Sequence, residues 1–195
     1  MKKFKFLLLS ACIALVACTT KTSSEQQVSD KGTKWSWDKG TIVVETPERP
    51  AEQTSVIGLT IPKMEVVRVG FVGLGMRGPG AVERFTYIPG VEIVALCDYE
   101  KERAEKCQKY LQRASMPKAA IYSGEKGYEE LCKRDDIDLV YIATDWLHHF
   151  PVAMCAMENN KNVAIEVPSA MDLKECWALV NMSEKTRKHC MILEN

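Results

Sequence analysis

The sequence predicts an α/β protein built on a doubly wound parallel sheet of the Rossmann type. Three observations carry that expectation. Nearly continuous apolar runs recur at residues 66–72, 91–97, 137–143 and 163–167, as expected of parallel strands buried on both faces. Segments with helical spacing lie between them. The first run leads into Gly73-Leu74-Gly75-Met76-Arg77-Gly78, a glycine pattern that acquires meaning when it follows a strand and opens a helix.

The chain has 195 residues, 46% of them hydrophobic and 27% charged, the composition of a folded protein. Its 26 basic and 26 acidic side chains cancel, so the basic footprint of a nucleic-acid binder is absent and no nucleic-acid partner is expected. The eight cysteines form no Cys-x-x-Cys pair, which argues against a zinc ribbon or a thioredoxin-type motif.

Residues 1–17 read as a secretory signal. Lys2, Lys3 and Lys5 precede an apolar run over 6–17. Twelve helical residues rise only about 18 Å, short of the roughly 30 Å hydrocarbon core. The run ends Leu15-Val16-Ala17-Cys18, which resembles a bacterial lipobox. That resemblance implies cleavage before Cys18, its lipidation, and an exported protein anchored in a bacterial membrane on the periplasmic side or the cell surface. Several acyl chains together give stable anchoring. Residues 18–62 then read as a flexible linker. The stretch 19–34 is rich in Thr, Ser, Lys and Gln without apolar period, and Pro47, Pro50, Gly58 and Pro62 punctuate the rest. Trp35 and Trp37 interrupt that pattern and are candidates for packing on the domain.

From residue 63 onward the chain alternates strand and helix as an NAD-binding Rossmann domain over 63–195. Weaker strands are expected at 119–123 and 188–193. Ala104, Cys107, Leu111 and Ala114 fall at helical spacing on one face. Asp172 followed by Glu175 reads as a capping box, with Leu173, Cys176, Trp177 and Val180 as the apolar face of the helix it opens. Within the glycine loop, Gly73 allows the tight turn, Gly75 lets backbone approach a pyrophosphate, and Gly78 lets helix pack on strand. The helix N-terminus then offers free N–H groups to the phosphates, and Pro79 suits the first turn. Asp98 ends the second strand twenty residues past Gly78. A carboxylate there can accept from ribose hydroxyls and repels a 2′-phosphate, favouring NAD over NADP; its plainer role is to cap a helix starting near Tyr99.

Pro151 suits a helix first turn, which places Thr144-Asp145-Trp146-Leu147-His148-His149 in the preceding loop, at the carboxyl edge of the sheet where ligands bind. Adjacent histidines make a poor metal pair because neighbouring side chains diverge, so no metal is expected. The next strand ends Glu166-Val167-Pro168 at the same edge.

The run from Arg68 to Gly78, followed by Ala95-Leu96-Cys97-Asp98, resembles the Gfo/Idh/MocA family of NAD(P)-dependent proteins. Members usually carry Thr-Pro-Asn-x-x-His after strand four and Glu-Lys-Pro after strand five. Here Thr144 and His149 keep their interval around Asp145-Trp146, and Val167 replaces the lysine associated with catalysis in the dehydrogenases. Gly75-Met76-Arg77-Gly78, Thr144-Asp145-Trp146-x-x-His149 and Glu166-Val167-Pro168 together resemble glycoside hydrolase family 109, NAD-dependent hydrolases known as α-N-acetylgalactosaminidases. The resemblance implies NAD contacts at Met76 and Arg77, Asp98, Trp146, Leu147, His148 and His149, Glu166 and Val167, and Asn195. It implies a redox-neutral cycle on a glycan or small sugar: oxidation at sugar C3, loss of the acidified C2 proton, elimination of the aglycone, addition of water, and reduction. NAD-dependent families are exceptions to the two-carboxylate scheme.

The family's C-terminal α/β substrate domain, which carries most catalytic groups, is expected to be absent from this chain, which reads as the cofactor-binding half of a longer parent. Catalytic residues are therefore left unassigned, with His149 the nearest candidate. Two alternatives stand beside the glycosidase: a sugar or cyclitol oxidoreductase, and a non-catalytic NAD-binding lipoprotein. Homo-oligomerisation is open. Cys97, Cys107, Cys132, Cys155, Cys176 and Cys190 mostly fall on apolar faces and read as buried free thiols. The sequon at Asn181 falls in an expected helix and is read as chance.

Overall fold

The computed structural model describes residues 26–29 and 32–193. The expected signal peptide, the expected lipidation site Cys18 and Asn195 lie outside the described residues. The chain divides into two units, Met1–Glu45 and Thr46–Asn195.

In the first unit, β1 (Gln27–Val28), β2 (Lys34–Asp38) and β3 (Thr41–Val44) form an antiparallel meander. This corrects the expectation of a structureless linker. The turn residues Lys39 and Gly40 both have positive φ, 47° and 82°, the backbone of a two-residue hairpin turn whose twist suits antiparallel strands. Trp35 and Trp37 share one face of β2 and meet edge to face at 6.1 Å.

The second unit begins well before residue 63. Arg49 donates from Nε and Nη2 to the two carboxylate oxygens of the buried Glu184, both at 2.8 Å. Arg187 donates to the carbonyls of Thr54 and Ser55. The stretch after Thr46 is thus tied to residues 132 to 135 positions away by ion pair and hydrogen bond, which no local pattern announces.

The core of this unit is β4 (Val67–Val72), α1 (Gly78–Phe85), β5 (Val91–Asp98), α2 (Lys101–Arg113), β6 (Ala120–Ser123), α3 (Gly127–Cys132), β7 (Leu139–Ile142), α4 (Trp146–Glu158), β8 (Asn162–Glu166), α5 (Leu173–Thr186) and β9 (Cys190–Leu193). The strands pair in parallel in the order β6-β5-β4-β7-β8-β9. That is the Rossmann order, with its switch point between β4 and β7.

Apolar side chains cover both faces of the sheet, as the continuous strand runs require. One layer joins Val69, Phe71 and Leu96 to Ala104, Cys107 and Leu111 of α2. The other joins Val72, Val140, Ile142 and Ile165 to Val152 and Met157 of α4. Phe71, Phe85 and Tyr141 form an aromatic trio with centroids 5.1–5.4 Å apart.

Three helix expectations need correction. Ala114 is the exposed C-cap of α2, outside its buried face. α4 starts at Trp146, so Trp146 to His149 form its first turn instead of a loop, and Pro151 lies inside the helix. Asp145 decides that start: its carboxylate accepts the Leu147 N–H at 3.0 Å, and a capping carboxylate satisfies an orphan donor that a later start would waste. In α5, Leu173, Cys176 and Val180 are exposed, and Leu179, Ser183 and Glu184 are buried. The buried side accepts polar groups because each has a partner: the Ser183 hydroxyl donates to the Lys188 carbonyl at 2.6 Å, and Glu184 receives Arg49. The Asp172 cap forms: its carboxylate accepts the Glu175 N–H, and the Glu175 carboxylate reaches back to accept from the Met171 N–H, one residue before the N-cap.

The cysteines among the described residues are free thiols. Cys97, Cys107 and Cys132 are buried, whereas Cys176 is exposed. Burial pushes the Cys97 thiol up to about 12, so it stays protonated and inert.

The charge of Arg68 inside β4 is answered by Asp138, whose carboxylate accepts from the Arg68 backbone N–H, Nε and Nη2 at 2.7–2.9 Å. Those hydrogen bonds hold the Asp138 carboxyl below the usual carboxylate range. A depressed folded-state value stabilises above the unfolded value near 3.9 and is lost as pH falls through the folded one. Asp138→Asn is therefore expected to lower stability by about 2 kcal/mol at pH 7. The deficit relative to wild type should shrink below about pH 4, as read from denaturant midpoints across the acid range.

Candidate functional site

The site grows from the switch point. There β4 and β7 end side by side, and the loops leaving them diverge. Gly73 follows β4 with φ +92°, a region that L side chains avoid. Its N–H donates to the Cys97 carbonyl at 2.9 Å. A Cβ on Gly73 would lie 2.5 Å from the Ala143 carbonyl carbon, so the turn is pressed against the end of β7. A Cβ on Gly78 would fall inside contact distance of the Gly73 carbonyl oxygen, so helix α1 seats directly on the turn. No side chain caps the N-terminus of α1, and its first turn carries no acidic residue. Its N–H groups are thus directed at whatever anion sits over the loop.

Around this loop lies a cleft of about 900 Å³ at the carboxyl ends of β4, β5, β7 and β8, within the size range of small-molecule sites. Of the residues expected from sequence, Gly73, Gly75, Met76, Arg77, Asp98, Trp146, His148, His149, Glu166 and Val167 line it. Leu147 does not; it points outward, 73% exposed. Gly78 supports the loop from behind.

Asp98 is buried, and its two oxygens accept the Leu74 N–H at 2.6 Å and the Glu100 N–H at 3.0 Å. It therefore ties the glycine loop to the end of β5 and also orders the turn before α2, which begins at Lys101, two residues beyond the expected start. A carboxylate oxygen accepts more than one hydrogen bond, so Asp98 retains capacity toward the cleft.

His149 carries the sharpest signal. It is 1% exposed. Its Nδ1 lies 2.7 Å from the Pro168 carbonyl. A carbonyl only accepts, so Nδ1 holds the proton and donates, and Nε2 of the neutral ring is an acceptor. Nε2 is buried without a hydrogen-bond partner, and the residue lines the cleft. A buried polar atom left unpaired is costly, which marks a position shaped for a donor on a ligand. His148 differs: it is exposed, with Nδ1 2.6 Å from the Asp145 carboxylate. That histidine, together with the Leu147 N–H, holds the Asp145 carboxyl below its ordinary range against the opposing effect of partial burial.

Glu166 is buried at the end of β8 and accepts from the Tyr141 hydroxyl at 2.8 Å. Burial, and then the Glu166 carboxylate, push the Tyr141 hydroxyl up to about 12. It therefore remains a donor that fixes one oxygen of Glu166. Sequence reading missed Tyr141 because it sits mid-strand and reads as core. It also missed Tyr99, Arg103, Glu125 and Tyr128, which line the cleft. For Arg103 a signal existed: it lies on the first turn of the helix that follows Asp98.

These features fit a dinucleotide: a glycine cradle that a Cβ would fill, an uncapped helix N-terminus, a carboxylate at the second strand, and an orphaned buried acceptor. Among the described residues no cluster of His, Cys, Asp or Glu could hold a metal ion. No helix among them is long and apolar enough to cross a membrane.

Comparison with known proteins agrees. Residues 67–194 match the Gfo/Idh/MocA oxidoreductase family, described as an NAD-binding Rossmann fold. The chain is 75% identical over its whole length to glycosyl hydrolase family 109 protein 5 of Phocaeicola vulgatus, of which it spans 38%. It is 59% identical, over 98% of its length, to glycosyl hydrolase family 109 protein 1 of Bacteroides thetaiotaomicron, of which it spans 40%. Among solved structures, myo-inositol dehydrogenase from Lactobacillus casei, in complex with NAD(H) and myo-inositol, superposes with a TM-score of 0.55 at 27% identity. That match covers 66% of this chain and 36% of the dehydrogenase. An NAD-binding protein from Listeria innocua gives 0.55 at 25% identity, over 65% of this chain and 34% of that one.

Proposed function

Because the chain belongs to the Gfo/Idh/MocA family of NAD-binding Rossmann-fold proteins, we propose that it is the cofactor-binding part of a redox-neutral glycosidase acting on terminal α-N-acetylgalactosamine. The observation that carries this reading is the motif set around the cleft, in a chain 75% identical to a glycosyl hydrolase family 109 protein. Asp145-Trp146 precede the two histidines, and Val167 stands where family dehydrogenases carry lysine. Val167 is 42% exposed at the cleft edge and offers no titratable group to a substrate.

NAD, when bound, supplies a hydride acceptor that is restored within each turnover. This chain's residues do the holding. The glycine loop and the N-terminus of α1 take the pyrophosphate, and Asp98 faces the adenosine ribose. Glu166, fixed by Tyr141, and the Nε2 acceptor of His149 serve the nicotinamide end. The chain spans between a third and two fifths of the relatives it matches, and the groups that act on the sugar are assigned to the part of those relatives that it does not cover. The lipobox-like sequence Leu15-Val16-Ala17-Cys18 supports an exported, lipid-anchored path for the parent. Such an enzyme is cut off from the cytoplasmic NAD pool, so a retained and regenerated cofactor suits it.

A sugar or cyclitol oxidoreductase is the second reading, favoured by the likeness to the L. casei myo-inositol dehydrogenase. One assay separates the two. The full-length protein is given nitrophenyl α-N-acetylgalactosaminide, and the nitrophenolate and NADH bands are followed together. Nitrophenolate release without NADH accumulation is expected. NADH accumulation without release overturns the glycosidase and supports the oxidoreductase.

A further inference from the structure

The cleft is poor in positive charge for a site that takes a pyrophosphate. Its lining carries four carboxylates, Asp98, Glu125, Asp145 and Glu166, against two arginines, Arg77 and Arg103. Arg77 is the N-cap of α1 and belongs to the loop itself. Arg103 comes from α2, and its placement is unusual. Its Nη1 lies 3.6 Å from Asp98 Oδ1, and its Nη2 lies 3.5 Å from Glu100 Oε1. Both are loose ion pairs beyond normal hydrogen-bond length. The side chain makes no hydrogen bond among the described residues, so the five N–H donors of its guanidinium are unspent.

The same Nη1 stands 3.7 Å from the position a Cβ on Gly75 would take. Gly75 is the loop residue whose bare backbone admits phosphate. Arg103 thus reaches the phosphate loop from α2, beside Gly75. It also walls a second, basic cleft lined by Lys106 and Lys109, which adds positive field at the same end of the site.

We propose that Arg103 is a cofactor ligand, closing its guanidinium on the pyrophosphate of the bound dinucleotide and counterbalancing the acidic lining. This rests on the reading of the cleft as a dinucleotide site and names a residue for it that the motif does not contain. Without ligand the guanidinium rests between Asp98 and Glu100. With ligand, the phosphate oxygens accept the planar, charge-assisted pair of N–H bonds that those carboxylates do not receive. Asp98 is then released toward the ribose, so one movement serves both groups.

The test is a calorimetric titration of the purified chain with NAD, ADP and adenosine, for wild type, Arg103→Gln and Arg103→Lys. For Arg103→Gln, NAD and ADP are expected to bind about tenfold more weakly, a loss that shrinks as salt rises. Adenosine, which carries no phosphate, should stay within about twofold, because the adenosine contacts are untouched. Arg103→Lys should recover part of the loss, since it restores charge without the planar fork. Affinities for ADP within twofold of wild type in Arg103→Gln overturn the proposal, as does an equal loss for adenosine. Wild type that binds none of the three overturns the dinucleotide reading itself, a result distinct from a silent substitution in a chain that binds NAD.

Discussion

Gly78→Ala is expected to abolish measurable NAD binding and to destabilise the second unit by more than 3 kcal/mol or so, the scale of overpacking against rigid atoms. The added methyl meets the Gly73 carbonyl oxygen and carbon, which are backbone and cannot rotate away. Gly73 in turn is pressed on Ala143 and Thr144, so the strain passes from α1 through the turn to the end of β7. Relief requires α1 to lift from the sheet. That opens the layer formed by Ala81, Val82, Phe71 and Leu74 and displaces the helix N-terminus from the phosphate position. The thermal midpoint and an NAD titration check the two halves of this prediction. Native stability with native affinity would mean that helix and turn are not packed as described.

Asp98→Ala has the next largest expected effect. It removes the acceptor for the Leu74 N–H within the glycine loop and for the Glu100 N–H before α2. A buried donor left unsatisfied costs about 1–3 kcal/mol. The loop loses its tie to β5, and the adenosine ribose loses its acceptor. NAD affinity should fall about a hundredfold, equivalent to roughly 2.8 kcal/mol. Asp98→Asn is graded: its amide oxygen still accepts from Leu74, but its NH2 faces the Glu100 N–H as a second donor. A tenfold loss, between wild type and alanine, is the expected result by the same arithmetic. Equal affinities for both variants and wild type would show that Asp98 neither shapes the loop nor meets the cofactor.

The sheet was legible because parallel strands buried on both faces must be apolar throughout, and four such runs, with two weaker ones for the edges, stand in the right order. The glycine loop and Asp98 were legible because each residue type answers a backbone or charge requirement at a fixed distance along the chain. What was hidden depended on partners far away in sequence. Glu184 looks like a solvated helix residue until Arg49, 135 positions earlier, is seen against it. The apolar stripe of Leu173, Cys176 and Val180 looks like a core face, yet Leu179 and Ser183 take the inside. Pro151 misled for a local reason: proline is most at home in a first turn, but Asp145 caps the chain one turn earlier. The hairpin at 34–44 was overlooked because its turn is Lys39-Gly40 and lacks the Asn-Gly or Asp-Gly signal. Its polar–aromatic alternation, Lys34-Trp35-Ser36-Trp37-Asp38, was there to be read.

The site was half legible. Its loop residues followed from the motif. Tyr141 acts on the cleft from mid-strand through its hydrogen bond to Glu166, and Arg103 reaches it from a helix; only the folded geometry brings them in.

The central claim, that this chain is built to hold a nicotinamide dinucleotide, is tested most directly by calorimetric titration of the purified chain with NAD at about 0.15 M salt. One NAD per chain is predicted, with affinity in the micromolar range, near −8 kcal/mol. No saturable heat, from protein whose denatured supernatant also contains no nucleotide, would contradict it.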